Sequence, residues 1–442
     1  MLVNTYKLRM FLMVLSVGWF TLPIQAQVWS LEQCIDTAQA YNKNLQVKRN
    51  NIAIGNQKQE EAKASLLPKV NVNADYKYFT NLPYQLMPMS VFGGPAGIYK
   101  ETQFGVPHNI NTNLQLSYPL YNPQMKAVIQ SAEIATELTR LQFEKSAEQI
   151  YFEISNLYYN AQILKQQILF IDSNLVNANR LLRNMQLLKE QLMAKGTDVN
   201  KVSLQADQLI TQKSIAESNL EQVMRALKFS MGISADRKME ISNDMNYKTT
   251  GTYTTVPTLD FQIAATQNRL LKNELNTLKK SHLPTIALFG TYGLNGFGYD
   301  KKPNDFLKFH PIGFAGIQFN YTLFDGNSSR KKQAQKKLEI QNNELQQALV
   351  TEQNTMQIEN AFNQKLTSQK SIVLTGKQIQ QAKLIYDQTI IQQKEGVASL
   401  NDVLMADNAL REVQQSYISA VVDYLKADLE LKKVSGQLGI KN

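Results

Sequence analysis

The sequence predicts a mainly α-helical chain of long coiled-coil α-hairpins that also carries four β-strands of membrane-spanning length, arranged as an internal duplication. Three observations predict this. Proline and glycine are confined to particular stretches, and long proline-free regions carry apolar seams at steps of three and four. The proline-containing regions instead alternate with a period of two, the period of a strand with unlike faces.

The N-terminus comes first. Lys7 and Arg9 precede the apolar run Met10 to Phe20, and Pro23 to Ala26 follows. That order is expected of a secretory signal peptide, so residues 1–26 are expected to be removed and the chain to leave the cytoplasm. The run is too short for an ordinary spanning helix, which needs about 20 apolar residues.

The helices follow from what is missing. Between Gln124 and Lys195 there is neither proline nor glycine, and these 72 residues can run as one helix of roughly 108 Å. Asn122 is placed to cap it, and Pro123 suits its first turn. Within it Ala147, Ile150, Ile154, Leu157, Ala161, Leu164 and Ile168 open a seam that continues to Met185 and requires a partner helix. A second seam runs from Val403 through Ala406, Leu410, Val413 and Tyr417 to Val434. Both stripes read as architecture without chemistry.

The strands follow from alternation. Val70, Val72, Ala74, Tyr76 and Tyr78 interleave with Lys69, Asn71, Asn73, Asp75 and Lys77, and the stretch from Ile110 to Leu120 repeats the pattern. Ile286 to Tyr292 and Ala315 to Leu323 do the same. Segments of about 9–11 such residues have the length of membrane-spanning strands, though alternation alone equally describes a half-buried soluble sheet. Four strands cannot close on themselves, and an open edge in lipid is costly, so a spanning sheet needs two or three chains for one barrel. The connections Thr80 to Pro107 and Asn295 to His310 fit long extracellular loops.

The duplication rests on three landmarks. Ser65-Leu66-Leu67-Pro68 corresponds to Ser281-His282-Leu283-Pro284, Leu114–Asn122 to Ile317–Asp325, and Gly196–Ala206 to Gly396–Ala406, at offsets of 216, 203 and 200. The expected organisation is a first repeat over 27–257, with one opening helix, then strands about 69–79 and 110–121 and a helical hairpin about 123–231. The second covers 258–442, with strands about 285–294 and 313–324 and a hairpin about 327–435. Gly196 and Gly396 are expected to be helix C-caps.

Composition excludes several classes. One cysteine rules out a disulfide framework and Cys-based metal sites, and His108, His282 and His310 have no ligand spacing. No metal, no cofactor and no enzyme are expected, since acid–base pairs and nucleophile–base arrangements are missing. The net charge of +10 reads as solvated surface rather than nucleic-acid binding. Cys34 reads as a small apolar helix residue. Gly290, Gly293 and Gly296 read as strand and turn glycines, and Arg330, Lys331, Lys332, Lys336 and Lys337 as a solvated face near the barrel's periplasmic rim.

The residues resemble the TolC-type outer-membrane efflux proteins. The carriers are Trp29-Ser30-Leu31-Glu32-Gln33-Cys34-Ile35 followed by Ala38 and Asn44, the two Leu-Pro helix ends, Lys195-Gly196-Thr197, Glu395-Gly396-Val397 and Leu400–Ala406. The resemblance implies a homotrimeric twelve-stranded barrel in the outer membrane over a periplasmic helical tunnel. It implies an exit duct of a tripartite efflux or type I secretion system, working with a periplasmic adaptor and an inner-membrane transporter. Its implied adaptor-contact turns are Gly196, Thr197, Gly396 and Val397, and its implied pore constriction is Asp402 with Met405. Asp402 is equally readable as a solvated charge on a helix face. Gln393, Ala398 and Val202 stand where the family carries the polar links that close the tunnel. A periplasmic coiled-coil scaffold or pump adaptor without a pore remains the alternative.

Overall fold

The computed structural model describes residues 28–243, 256–298 and 308–438; the expected signal peptide lies outside them. The described residues form two compact units, one within 28–50, 141–262 and 349–438, the other within 51–140 and 263–348.

The second unit is built on a four-stranded antiparallel sheet of β2 (Lys69–Tyr78), β5 (His108–Tyr121), β7 (Thr285–Gly298) and β8 (Phe309–Asn320), paired in the order β2-β5-β7-β8. Registers place Val70 opposite Leu116, Leu116 opposite Gly290, and Gly290 opposite Ala315. The apolar residues of β2 and β5 therefore share one face with Leu288, Tyr292, Ala315 and Ile317. Small residues make room for large ones across the ladder: Phe289 lies opposite Gly316, where a Cβ would sit 2.9 Å from the ring, and Tyr292 opposite Gly313. Gly293 is enforced more strictly, because a Cβ there would stand 2.4 Å from the Thr112 carbonyl oxygen.

Three departures from expectation appear in this unit. The last strand ends at Asn320 rather than near Phe324, because its partner β7 begins at Thr285 and offers no further ladder positions. The faces are less cleanly divided than alternation suggested. Phe289, Phe297, Ile312 and Phe314 share the face of the β2 and β5 amides, so that this face is mixed on the β7–β8 side. The connection Thr80–Pro107 also has its own hairpin, β3 (Tyr84–Pro88) with β4 (Tyr99–Gln103). The hairpin turns through a 3-10 segment, Met89–Phe92, that ends at Gly93 in the left-handed region.

The helices of the chain are α1 (Leu31–Tyr41), α2 (Lys43–Ala64), α3 (Pro123–Glu190), α4 (Gly196–Met231), α5 (Leu259–Lys280), α6 (Ser328–Lys394) and α7 (Leu400–Val434). The N-terminal Trp-Ser-Leu-Glu-Gln motif is a capping signature. Ser30 Oγ accepts the Gln33 N–H at 3.2 Å, and Gln33 Oε1 accepts the Ser30 N–H at 3.0 Å. The sequence predicted one helix there, but buried Asn42 leaves helical geometry between α1 and α2. Its Oδ1 accepts the Leu45 N–H at 3.1 Å and its amide donates to the Ser230 carbonyl at 2.7 Å. A Cβ on Gly232 would lie 2.3 Å from the Tyr41 carbonyl oxygen, so only glycine lets the end of α4 reach this break.

The first unit buries its largest core where α1 packs on α3 and α4. Cys34, Ile35, Ala38, Ile154, Tyr158 and Leu227 meet there with Trp29 and Ile241 of the short parallel pair β1 (Val28–Trp29) and β6 (Glu240–Ile241). Each fully buried aliphatic side chain of this kind is worth about 1.5–3 kcal/mol. Burial pushes the Cys34 thiol up to about 12, so it stays a protonated, apolar group. The seams pack as expected: Ile154, Ala161, Ala178 and Met185 on α3 are buried, as are Val403, Leu410, Tyr424 and Leu431 on α7.

Candidate functional site

The turns joining α3 to α4 and α6 to α7 have the same hydrogen-bond pattern. In the first, the Leu192 N–H donates to Lys189 O (3.0 Å) and the Met193 N–H to Leu188 O (2.8 Å). In the second, Gly396 N–H donates to Gln393 O (3.2 Å) and Val397 N–H to Gln392 O (2.8 Å). These are matching Schellman-type closures, with the left-handed residue at Leu192 (φ 61°) and Gly396 (φ 76°). The repeats therefore correspond at 396 − 192 = 204, not at 200.

This corrects the reading of Gly196. It is the first residue of α4, preceded by Lys195 at the N-cap, and a Cβ on it would meet only the Lys189 side chain at 3.8 Å. Gly196 is not a C-cap; Gly396 is. Gly196 and Thr197 open a helix, whereas the turn itself carries Leu192 and Met193, 94% and 73% exposed, opposite Gly396 and Val397, the latter 79% exposed. The sequence carried a usable signal that the glycine alignment hid. Leu192 and Gly396 stand equally far before Asp198-Val199 and Asp402-Val403.

At the start of α7, Ser399 and Asp402 form a capping box. Asp402 Oδ2 accepts the Ser399 N–H at 2.8 Å and its hydroxyl at 2.7 Å, while Ser399 Oγ accepts the Asp402 N–H at 3.3 Å. Hydrogen bonds from Ser399, first the side chain and then the backbone, hold the Asp402 carboxyl below the usual range, so it is ionised at neutral pH. Asp402 is exposed, as is Met405 one turn on, on the same face of α7. The counterpart of Asp402 at the corrected register is Asp198, the acidic residue in the first turn of α4.

Behind that face the two helical hairpins meet. Val202, fully buried, packs with Leu181, Met185, Ala382, Tyr386, Val403 and Ala406 in one apolar cluster. Val202 is therefore a core residue. Polar links lie beside it: Lys201 Nζ donates to Asn401 Oδ1 at 3.1 Å, Gln205 to Asp407, and Asn174 Nδ2 to Gln414 Oε1 at 3.1 Å. Asp407 is buried and also pairs with Arg411 at 3.0 Å. Burial raises its carboxyl above the usual range, against the Arg411 charge and the Gln205 hydrogen bond. Above these links a cavity of about 530 Å³ is lined by Gln167, Asn174, Gln208, Gln212, Arg411 and Gln414. Among the described residues no cluster of His, Cys, Asp and Glu could hold a metal ion. No helix among them is long and apolar enough to cross a membrane.

Known proteins share the fold. Residues 257–437 match the family described as outer membrane efflux protein. The chain is 21% identical to outer membrane protein TolC of Salmonella enteritidis over 447 aligned positions, covering 98% of this chain and 86% of that protein. Its fold is similar to that of the outer membrane protein VceC of Vibrio cholerae, with a TM-score of 0.75, 16% identity, and 92% and 96% of the two chains covered. It is equally similar to the Campylobacter jejuni CmeC outer membrane channel, with a TM-score of 0.75, 15% identity, and 92% and 85% covered. By the match over residues 257–437, and by a likeness spanning nearly its whole length, the chain is similar to the TolC-type outer-membrane efflux proteins.

Proposed function

We propose that the protein is an outer-membrane channel-tunnel, the passive exit duct of a tripartite efflux or type I secretion system. The observation that carries this reading is the sheet. Its four strands put a mainly apolar face on one side while β2 and β8 are left as open edges. Unpaired edges in lipid cost several kcal/mol per backbone group, so the sheet closes only by pairing with further copies. Three copies give a twelve-stranded barrel.

The helices support an assembly independently. Leu349, Met356, Leu366, Val373, Leu384 and Ile391 on α6 are exposed in the single chain. Their spacings of 7, 10, 7, 11 and 7 follow a 3.5-residue period, that of a coiled-coil seam awaiting a partner. Leu169, Val176 and Leu187 form a similar exposed row on α3. In this reading residues 1–26 are removed on export and the two repeats, 27–257 and 258–442, each supply half of a protomer's barrel and tunnel.

The helix–helix turns, with Gly196 and Thr197 beside the first and Gly396 and Val397 in the second, meet a periplasmic adaptor that links the duct to an inner-membrane transporter. Asp402 and Met405 ring the constriction, Asp402 both capping α7 and presenting its charge to the pore; such a ring favours cations. The protein conducts; it does no chemistry.

Single-channel recording of the detergent-purified protein in a planar bilayer tests this, with and without Asp402→Asn, which keeps a cap acceptor but removes the charge. Discrete cation-selective steps that lose selectivity in the variant are expected. A water-soluble monomer, recovered without detergent and silent in the bilayer, would overturn the channel reading in favour of a pore-less scaffold.

A further inference from the structure

We propose that the helix-side rim of the sheet is a binding surface for the anionic phospholipid headgroups of the adjacent leaflet, centred on Arg330, Lys331 and Lys332. The inference rests on the membrane reading above. All four strands join their helices at one end of the sheet: α2 enters β2, β5 leads into α3, α5 enters β7 and β8 leads into α6. At that end the chain exposes a ring of apolar side chains, Leu67, Tyr121, Leu323 and Phe324; Leu323 and Phe324 lie beyond the last ladder pair. Apolar and aromatic side chains followed at once by cations are what a membrane–water boundary selects.

The cations follow immediately. Arg330–Lys337 holds five basic residues and no acid. Lys336 is accounted for within the fold, bridging Glu274 at 2.9 Å and Glu339 at 2.5 Å. Asp325 is likewise committed, its Oδ2 accepting the Ser329 N–H at 2.9 Å at the start of α6. Among the described residues, Arg330, Lys331, Lys332 and Lys337 make no ion pair, and all four are exposed. Three of them crowd the first two turns of α6, which has no acidic residue in its first turn. The helix dipole penalises positive charge there. Cations that are uncompensated within the fold, placed against the dipole and next to an exposed apolar rim, are complementary to a phosphate-bearing lipid surface, not to water alone. Lys279 at the end of α5 and Lys126 near the start of α3 extend the positive band from the neighbouring junctions.

The test is lipid retention by the detergent-purified protein, measured by native mass spectrometry against phosphatidylglycerol and phosphatidylcholine of equal chain length. Wild type is expected to retain phosphatidylglycerol preferentially. The triple variant Arg330→Gln/Lys331→Gln/Lys332→Gln should lose about tenfold or more of that preference, whereas Lys331→Arg/Lys332→Arg keeps it. Raising the salt to about 0.5 M, where the Debye length falls well below 8 Å, should weaken it in wild type without any substitution. Equal retention of the two lipids by wild type, or an undiminished preference in the triple variant, overturns the proposal; equal retention is also the outcome if a second copy covers the rim. Insertion scored by channel activity separates the two failures. A protein that conducts without phospholipid preference loses only this inference, and one that never inserts loses the membrane reading.

Discussion

Replacing Leu192 with glycine should make the protein more stable and less active. Leu192 holds a left-handed backbone at φ 61° with its side chain 94% exposed, while the equivalent position of the second repeat carries Gly396. A left-handed non-glycine residue costs about 1–2 kcal/mol. Glycine removes that strain, but its greater freedom in the unfolded chain takes back about 0.5–1 kcal/mol. The exposed side chain gives up almost no burial. The net gain is roughly 0.5–1 kcal/mol per chain, readable in chemical denaturation of the purified protein.

Retention of a strained and exposed leucine points to a use for it. If Leu192 is buried by the adaptor, its removal costs about 1.5–3 kcal/mol per contact, a loss of about tenfold to a hundredfold in affinity. Export complementation in cells lacking their own channel should therefore fall as the denaturation midpoint rises. A lowered midpoint would refute the strain argument. Unimpaired export by both Leu192→Gly and Leu192→Asp would remove Leu192 from the docking surface.

Three further predictions follow from neighbouring features. Gly396→Ala should destabilise by about 1 kcal/mol, since its φ of 76° is strained for any side chain; Gly196→Ala, at the start of a helix, should be neutral or slightly stabilising, and the reverse ranking would restore the 200-residue register. Because burial raises the Asp407 carboxyl, its contribution to stability is complete below the unfolded carboxylate range of about 4 and is lost as pH rises through the higher folded value. The stability of wild type relative to Asp407→Asn should accordingly fall as pH rises above about 4, and urea midpoints that diverge in the opposite sense would contradict the burial argument. Lys365 is buried, bonded to Asp428 at 2.6 Å and set 5.5 Å from the Tyr424 ring. Lys365→Ala should cost about 2 kcal/mol, less than an isolated buried pair, because Lys432 also holds Asp428 at 2.7 Å; an unchanged unfolding midpoint would show that the pair contributes nothing.

What was legible in the sequence was what local rules govern. The absence of helix breakers after Pro123 predicted α3, which runs 68 residues, and alternation located the four strands to within a few residues. The seam residues Ile154, Val403 and Tyr424 could be read as buried because their 3.5-residue spacing admits only one face. Glycine identity was a poorer guide. Gly196 and Gly396 look alike in sequence, yet one opens a helix and the other closes one, because the turn is set by a hydrogen-bond closure that leucine also satisfies at a strain cost. The polar links between the hairpins joined residues about 200 apart or more, such as Lys201 with Asn401 and Asn174 with Gln414. No periodicity announces such pairs.

The sequence by itself determined which segments are helix and which are strand, and that one sheet face is mainly apolar. These depend on spacing along the chain, where the energetic preferences of neighbouring residues act directly. Only the tertiary structure decided the register between repeats, the hairpin inside the first loop, the break at Asn42 and the burial of Val202 and Asp407. Those depend on which distant backbone groups and side chains come within a few ångströms, and non-local contact is the quantity that a linear pattern leaves open.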